Sequence, residues 1–143
     1  MNLPISPRHV PARLATGAWI LHSGVEKWGG DETSAKGYHA FATTAFPFLK
    51  KVPPQRFLRV LAAGEIAVGA VMLAPFVSPA LAGAALTGFS ASLLALYFRT
   101  PGMRKPGSVW PTPDGVAVSK DVWMLGIGLG LLADAVVEAR RHR

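Results

Sequence analysis

Glu65 lies eight residues into an apolar run over 57–77, and His22 lies six residues before the end of a weaker apolar run over 12–28. Carboxyl and imidazole are the side chains most often used to hold or move a proton. In a hydrocarbon setting a charged group costs about 2.5–3.5 kcal/mol on insertion scales, so it turns toward a bundle interior and finds a partner there. At the helical rise per residue, Glu65 falls about 12 Å and His22 about 9 Å below the same boundary, depths close enough to predict contact. His22 and Glu26 are four apart, as are Ser23 and Lys27, so each pair shares a helix face. Arg59 opens the second run, and Arg99, Lys120 and Asp121 ring the same level. The candidate site is therefore His22, Glu26, Lys27, Arg59 and Glu65. Two roles stay open for it. Either a neighbouring base satisfies Glu65 and locks the bundle, or the group forms a pocket that binds a ligand or handles protons.

Other chemistries find no support. The 143 residues include no cysteine, which removes disulfides, thiolate nucleophiles and thiolate metal sites. The four histidines, at 9, 22, 39 and 142, are too scattered for a haem pair, and no metal site is expected. There is no HExxH or Walker motif, and the GIGLG stretch at 126–130 sits inside an apolar run rather than after a strand. The net charge of +7 comes without a basic face interleaved with aromatics, so nucleic acid is not expected as a partner. Attraction to anionic lipid accounts for the charge more simply.

The elements that must position the candidate site follow from composition. Half of the residues are hydrophobic and 16% are charged, against about 25% charged in an average soluble domain. Apolar residues are gathered into four runs, over 12–28, 57–77, 79–98 and 116–137. A spanning helix needs about 20 such residues. The predicted fold is all-α: a single domain, an integral membrane four-helix bundle. Arg8 and Arg13 precede the first run, but His22 and Glu26 interrupt it and no small-residue cleavage site follows, so an anchor is expected rather than a signal peptide. Prolines at 4, 7 and 11 predict an irregular N-terminal arm.

In the first connection, Asp31-Glu32-Thr33-Ser34 offers a helix start, and Tyr38, Phe41, Ala42, Ala45, Phe46 and Leu49 recur at helical spacing. That pattern predicts an amphipathic or re-entrant segment over about 34–50. The short turn at 76–79 predicts a tight antiparallel hairpin, and the Pro- and Gly-rich stretch over 99–119 a folded loop. Helices in lipid pack through small residues, which nominates Ala80, Ala84, Gly88 and Ser92, the pair Gly126 and Gly130, and Gly64 and Gly69. Trp28 and Trp123 are expected at the interface, and Trp110 either there or over the site. Asp134 is expected to pair with Arg13 or the terminal arginines. Ten of the fifteen Lys and Arg residues fall on the side of the two long connections.

Arg13-Leu14, Gly17 and Gly24-Val25-Glu26-Lys27 in the first run, followed by Glu65-Ile66-Ala67-Val68-Gly69 in the second, resemble the DoxX-like family of small four-helix bacterial membrane proteins. The resemblance spans about 13–137 and takes in the charge-free third run and the Lys120-Asp121 start of the fourth. It implies a multi-pass protein of the bacterial plasma (inner) membrane. Gly24, Lys27, Glu65 and Gly69 match the family pattern and imply a shared buried polar site. Some relatives are subunits of thiosulfate:quinone oxidoreductase, and others join membrane assemblies dealing with oxidative stress. The chain is accordingly expected to be a scaffold or membrane subunit of a quinone-linked or oxidative-stress redox assembly, not catalytic alone. It would carry no intrinsic cofactor, with quinone as the ligand in view. Its expected partners are the lipid bilayer, a redox protein and further copies of itself. The rival expectation is a small-solute or proton-coupled transporter using a buried Glu65/His22 pair.

Overall fold

The computed structural model describes residues 5–141. Pro4 of the expected N-terminal arm, and His142 and Arg143 of the basic tail, lie outside the described residues. All regular structure among the described residues is helical, apart from one isolated bridge between Arg104 and Pro111. A 3-10 turn, Pro7–His9, leads into α1, Val10–Trp28, which ends at Gly29. The expected helix start is found: the Asp31 carboxylate accepts the Ser34 backbone N–H at 2.8 Å and caps α2, Glu32–Ala45. That bond holds the Asp31 carboxyl below the usual carboxylate range. The segment expected to run on to residue 50 leaves the α-helix at Ala45, because Pro47 has no N–H to offer; a 3-10 turn, Pro47–Lys51, follows.

Next comes α3, Pro54–Leu73, three residues earlier at its start and four earlier at its end than the apolar run suggests. Ser78 caps α4, Pro79–Arg99, by accepting the Leu81 N–H. The fourth run divides at Lys120 into a single turn, α5, Val116–Ser119, and a long helix, α6, Asp121–Arg141. The expected folded loop between α4 and α5 is held by Tyr97, whose hydroxyl donates to the Val109 carbonyl at 2.7 Å.

The expected tight hairpin is corrected. A short turn joins α3 and α4, yet α3 packs chiefly on α1, and α4 on α6, while α2 lies against α3 and α4. Close backbone approach decides these partners. A Cβ added at Gly69 would stand 2.7 Å from the Leu21 backbone nitrogen, and one at Gly24 2.8 Å from that of Ile66. At the other pair, a Cβ at Gly83 would meet the Gly128 carbonyl oxygen at 2.9 Å, and one at Gly128 the Thr87 nitrogen at 2.8 Å. Ala80, Ala84 and Gly88 of the nominated seam face outward instead, as do Gly126, Gly130 and Gly64, while Ser92 lines a cavity. The buried face of α4 is Ala82, Gly83, Leu86 and Ser90. Small residues recur four apart on both faces of α4, so their spacing alone does not distinguish inside from outside. Gly69→Ala is therefore expected to lower stability in detergent by about 1–3 kcal/mol, the range for overpacking. Gly64→Ala should hold or gain up to about 1 kcal/mol, as for a glycine in an open helix position. Thermal melts of both variants check the contrast.

Arg13 ties the end of α3 to α1. It is 1% exposed and donates only to backbone oxygens: Nε to Met72 at 2.8 Å, one terminal nitrogen to Val77 at 3.0 Å, the other to Val71 at 3.0 Å and Ala74 at 2.9 Å. The Val71 and Met72 carbonyls belong to the last turn of α3, where the helix itself has no N–H to give, and those of Ala74 and Val77 to the turn beyond, where the Ala74 oxygen also accepts the Val77 N–H at 3.2 Å.

Beside an aliphatic core that includes Ile20, Leu58, Met72 and Leu86, the chain buries a few polar side chains and exposes many large apolar ones. Arg13, Thr16, Glu65 and Ser90 are buried, while Trp19, Val60, Leu81, Trp123, Leu129 and Val136 are exposed. Of the long helix α6 only Gly128 and Leu131 are buried. Two helical stretches, Pro79–Arg99 and Pro113–Arg141, are long and apolar enough to cross a membrane. The other two expected spans do not meet that standard. α1 carries Arg13, Glu26 and Lys27, and α3 carries Arg56, Arg59 and Glu65.

Candidate functional site

Between the α1/α3 pair and the α4/α6 pair lies a cavity of about 540 Å³, lined by residues of α1 to α6. That volume falls in the range of small-molecule sites. Its walls are largely aromatic and aliphatic: Phe57 and Leu61 of α3, Phe89 and Leu93 of α4, and Tyr38 and Phe41 of α2, which closes one side. Ser23, Lys27, Glu65 and Asp121 supply polar groups to this apolar lining. α2 reaches the cavity through Tyr38, Phe41 and Ala42, which recur at helical spacing on one face.

Lys27 and Glu65 form the centre of the site. The Lys27 ammonium donates to Glu65 Oε2 at 3.1 Å and to Ser23 Oγ, and it lies 5.1 Å from the centre of the Tyr38 ring. Both side chains are well buried, 13% and 6% exposed. The backbone approach at Gly24 sets the pair, since a side chain there would push Glu65 and Ile66 away from α1. Asp121, at the start of α6, lines the same cavity from the facing helix pair.

The structure separates the other nominated residues from this centre. His22 and Glu26 face outward, 67% and 70% exposed, and pair with each other at 3.4 Å. The expected His22–Glu65 contact is not formed. At 3.6 residues per turn, a residue two away from both Ile20 and Gly24 lies roughly 200° round the helix from each, and Ile20 and Gly24 are the positions α1 buries. Depth along the helix was matched, but the face was not. Arg59 is also exposed and lies over the Trp28 ring, 5.1 Å from its centre, outside the cavity. Lys27 and Glu65 are thus the two nominated residues that meet in the cavity.

At the opposite end Asp134 takes partners other than those expected. Arg8 donates to it through Nε at 2.9 Å and a terminal nitrogen at 2.7 Å, and His9 Nε2 lies 2.6 Å from it. Arg13 is engaged with carbonyls and does not reach it. Trp110 is exposed and does not line the cavity.

Three contributors were not among the nominated residues. Asp121 was placed at the right level but not assigned to the site. Ser23 was visible as the partner four residues from Lys27. Trp19 stands at the cavity edge, 67% exposed, and no spacing in the sequence marks it.

As a chemical device, the cavity offers an apolar slot with an ammonium group at one wall, held between a carboxylate and a hydroxyl. Such a site suits an uncharged, flat, amphipathic molecule with an oxygen to accept a hydrogen bond. Among the described residues no group of three or more His, Asp or Glu gathers. No family model matches this chain, and neither a curated protein nor a solved structure is significantly similar to it.

Proposed function

We propose that the chain is an integral membrane four-helix protein of the DoxX-like kind, in which the cavity holds the head group of a quinone for a redox partner. The observation that carries this reading is the cavity itself, a largely apolar space whose principal hydrogen-bond donor is a fixed ammonium. Membrane insertion is supported by the large apolar side chains exposed on the helices, by the two stretches apolar enough to span, and by the basic residues gathered beside the long connections. In this arrangement α1 and α3 cross with their charges turned inward or at their ends. The positions that match the family pattern do physical work together: Gly24 and Gly69 bring α1 against α3, and that approach places Lys27 beside Glu65.

A quinone takes up two electrons and two protons, and the electrons would come from the partner protein. The residues of this chain bind and orient. Lys27 donates to a ring oxygen, and Glu65 and Ser23 hold the ammonium in place. Phe41, Phe57 and Phe89 flank the ring and exclude water, while Asp121 is a carboxyl within the same cavity able to hold a proton. The exposed Trp19 edge leaves a path for an isoprenoid tail toward lipid. The transporter reading required Glu65 and His22 to titrate as a pair, and His22 lies on the other face of α1.

The test is binding. Wild-type protein extracted in mild detergent should carry quinone detectable by solvent extraction, and should take up a short-chain ubiquinone with quenching of tryptophan fluorescence. Leu93→Trp, which fills the cavity from its α4 wall, should lower both by about tenfold, as expected when one bulky side chain occupies the site. Wild-type protein that carries no quinone and shows no quenching up to the solubility limit would refute the assignment.

A further inference from the structure

A second, smaller concavity of about 310 Å³ lies in the loop after α4, away from the main cavity, and its character is opposite. Arg99, Arg104 and Lys105 line it, and no carboxylate does. Two of these cations are held in place without exhausting their donors. The Arg99 guanidinium lies 5.2 Å from the centre of the Phe46 ring, a contact that leaves its N–H groups free to donate. Arg104 lies 5.1 Å from the Phe98 ring centre and donates to the Ser108 and Phe98 carbonyls at 3.3 Å, two contacts out of five N–H donors. The loop is bent around this space by Gly102 and Gly107, with φ of +84° and +67°, a region costly for any side chain. Independently, Thr100, which also lines the space, has a buried hydroxyl with no hydrogen-bond partner. A buried hydroxyl ordinarily has a partner.

We propose that this loop is a binding site for a phosphate group, the head-group phosphate of an anionic phospholipid or free phosphate. Guanidinium groups match phosphate oxygens in pairs, and an ammonium adds a point charge. The loop follows directly from Arg99 at the end of α4, one of the two stretches apolar enough to span. The neighbouring Val109 and Trp110 are exposed, 63% and 69%, as residues that dip into a membrane interface are. The lipid source rests on the membrane reading; the phosphate chemistry does not.

The experiment compares wild type, Arg99→Gln/Lys105→Gln and the control Lys50→Gln/Lys51→Gln, which removes the same charge from elsewhere. Each is first shown to melt within a few degrees of wild type. In nanodiscs of phosphatidylcholine with phosphatidylglycerol, released into the gas phase for native mass spectrometry, wild type and control should retain phosphatidylglycerol. The Arg99/Lys105 variant should retain about tenfold less. In detergent, inorganic phosphate should raise the melting temperature of wild type above that in chloride of equal ionic strength, and should not do so for the Arg99/Lys105 variant. Whichever ligand saturates at the lower concentration is the source. Equal loss of lipid in both double variants would reduce the effect to diffuse charge and overturn the site, as would indifference of wild type to both ligands. Alkaline carbonate washing of membranes separates the two claims. A chain washed off would end the membrane reading, while the inorganic phosphate arm would still decide the site.

Discussion

Lys27→Met should destabilise the protein by about 3–5 kcal/mol, the cost of leaving one member of a buried ion pair without its partner. The Glu65 side chain is 6% exposed, and among the described residues Lys27 is the cation within salt-bridge distance of its carboxylate. Asp121, in the same cavity, adds a second acid nearby. The charge left behind therefore faces a like charge as well as a low dielectric. Lys27→Met/Glu65→Leu should recover most of the loss, because a well-packed apolar pair in place of a buried salt bridge is often neutral or better. Melting curves in a single detergent, arranged as a double-mutant cycle, give the coupling directly. Additive effects of the two substitutions would mean that the pair contributes no coupling, and would undo the account of Lys27 and Glu65 as one unit.

The same cycle separates structure from binding. If the pair only locks α1 to α3, the double variant regains stability and quinone uptake together. If Lys27 also donates to a bound ring oxygen, the double variant regains stability but takes up quinone poorly. The second outcome is the expected one, because the ammonium is the donor the cavity offers and Met brings none.

The sequence and the structure agree on the elements and part company on their faces. The four apolar runs and the helix start at Asp31 were legible, because apolar length and capping chemistry are local properties read along one chain. Glu65 was legible as a site residue because a lone acid in an apolar run must find a partner. Its partner was not. Lys27 lies five residues, about 7.5 Å, nearer the boundary than His22, so depth pointed to His22, and it is the rotation of α1 about its axis that favours Lys27. That rotation is set by Gly17 meeting Met72 and Gly24 meeting Ile66, contacts between segments far apart in sequence. The seam of α4 was misread for a related reason. A helix without a charge shows no polar face, so four-residue spacings of small residues on opposite sides look alike. The cavity itself is lined by residues of six helices, and no single run of residues encodes it.

Arg13 is where the largest effect of a single side chain outside the cavity is expected. Four carbonyl oxygens from the end of α3 and the turn after it converge on one guanidinium. Hydrogen bonds to a charged donor contribute about 1.5–3 kcal/mol each, with strong non-additivity when they share one group. Arg13→Leu should therefore cost about 4 kcal/mol or more, because it strands acceptors that the helix cannot satisfy. Arg13→Lys keeps the charge but replaces a planar fork of five donors with three donors on one nitrogen, which cannot span oxygens on both sides of the turn. It should still lose about 2 kcal/mol. The loss should show first as fraying of the α3–α4 turn: hydrogen exchange at Ala74 and Val77 should quicken before exchange at Ala62, deep in α3, changes. Equal quickening at all three positions would mean that Arg13 supports the whole bundle rather than this one turn.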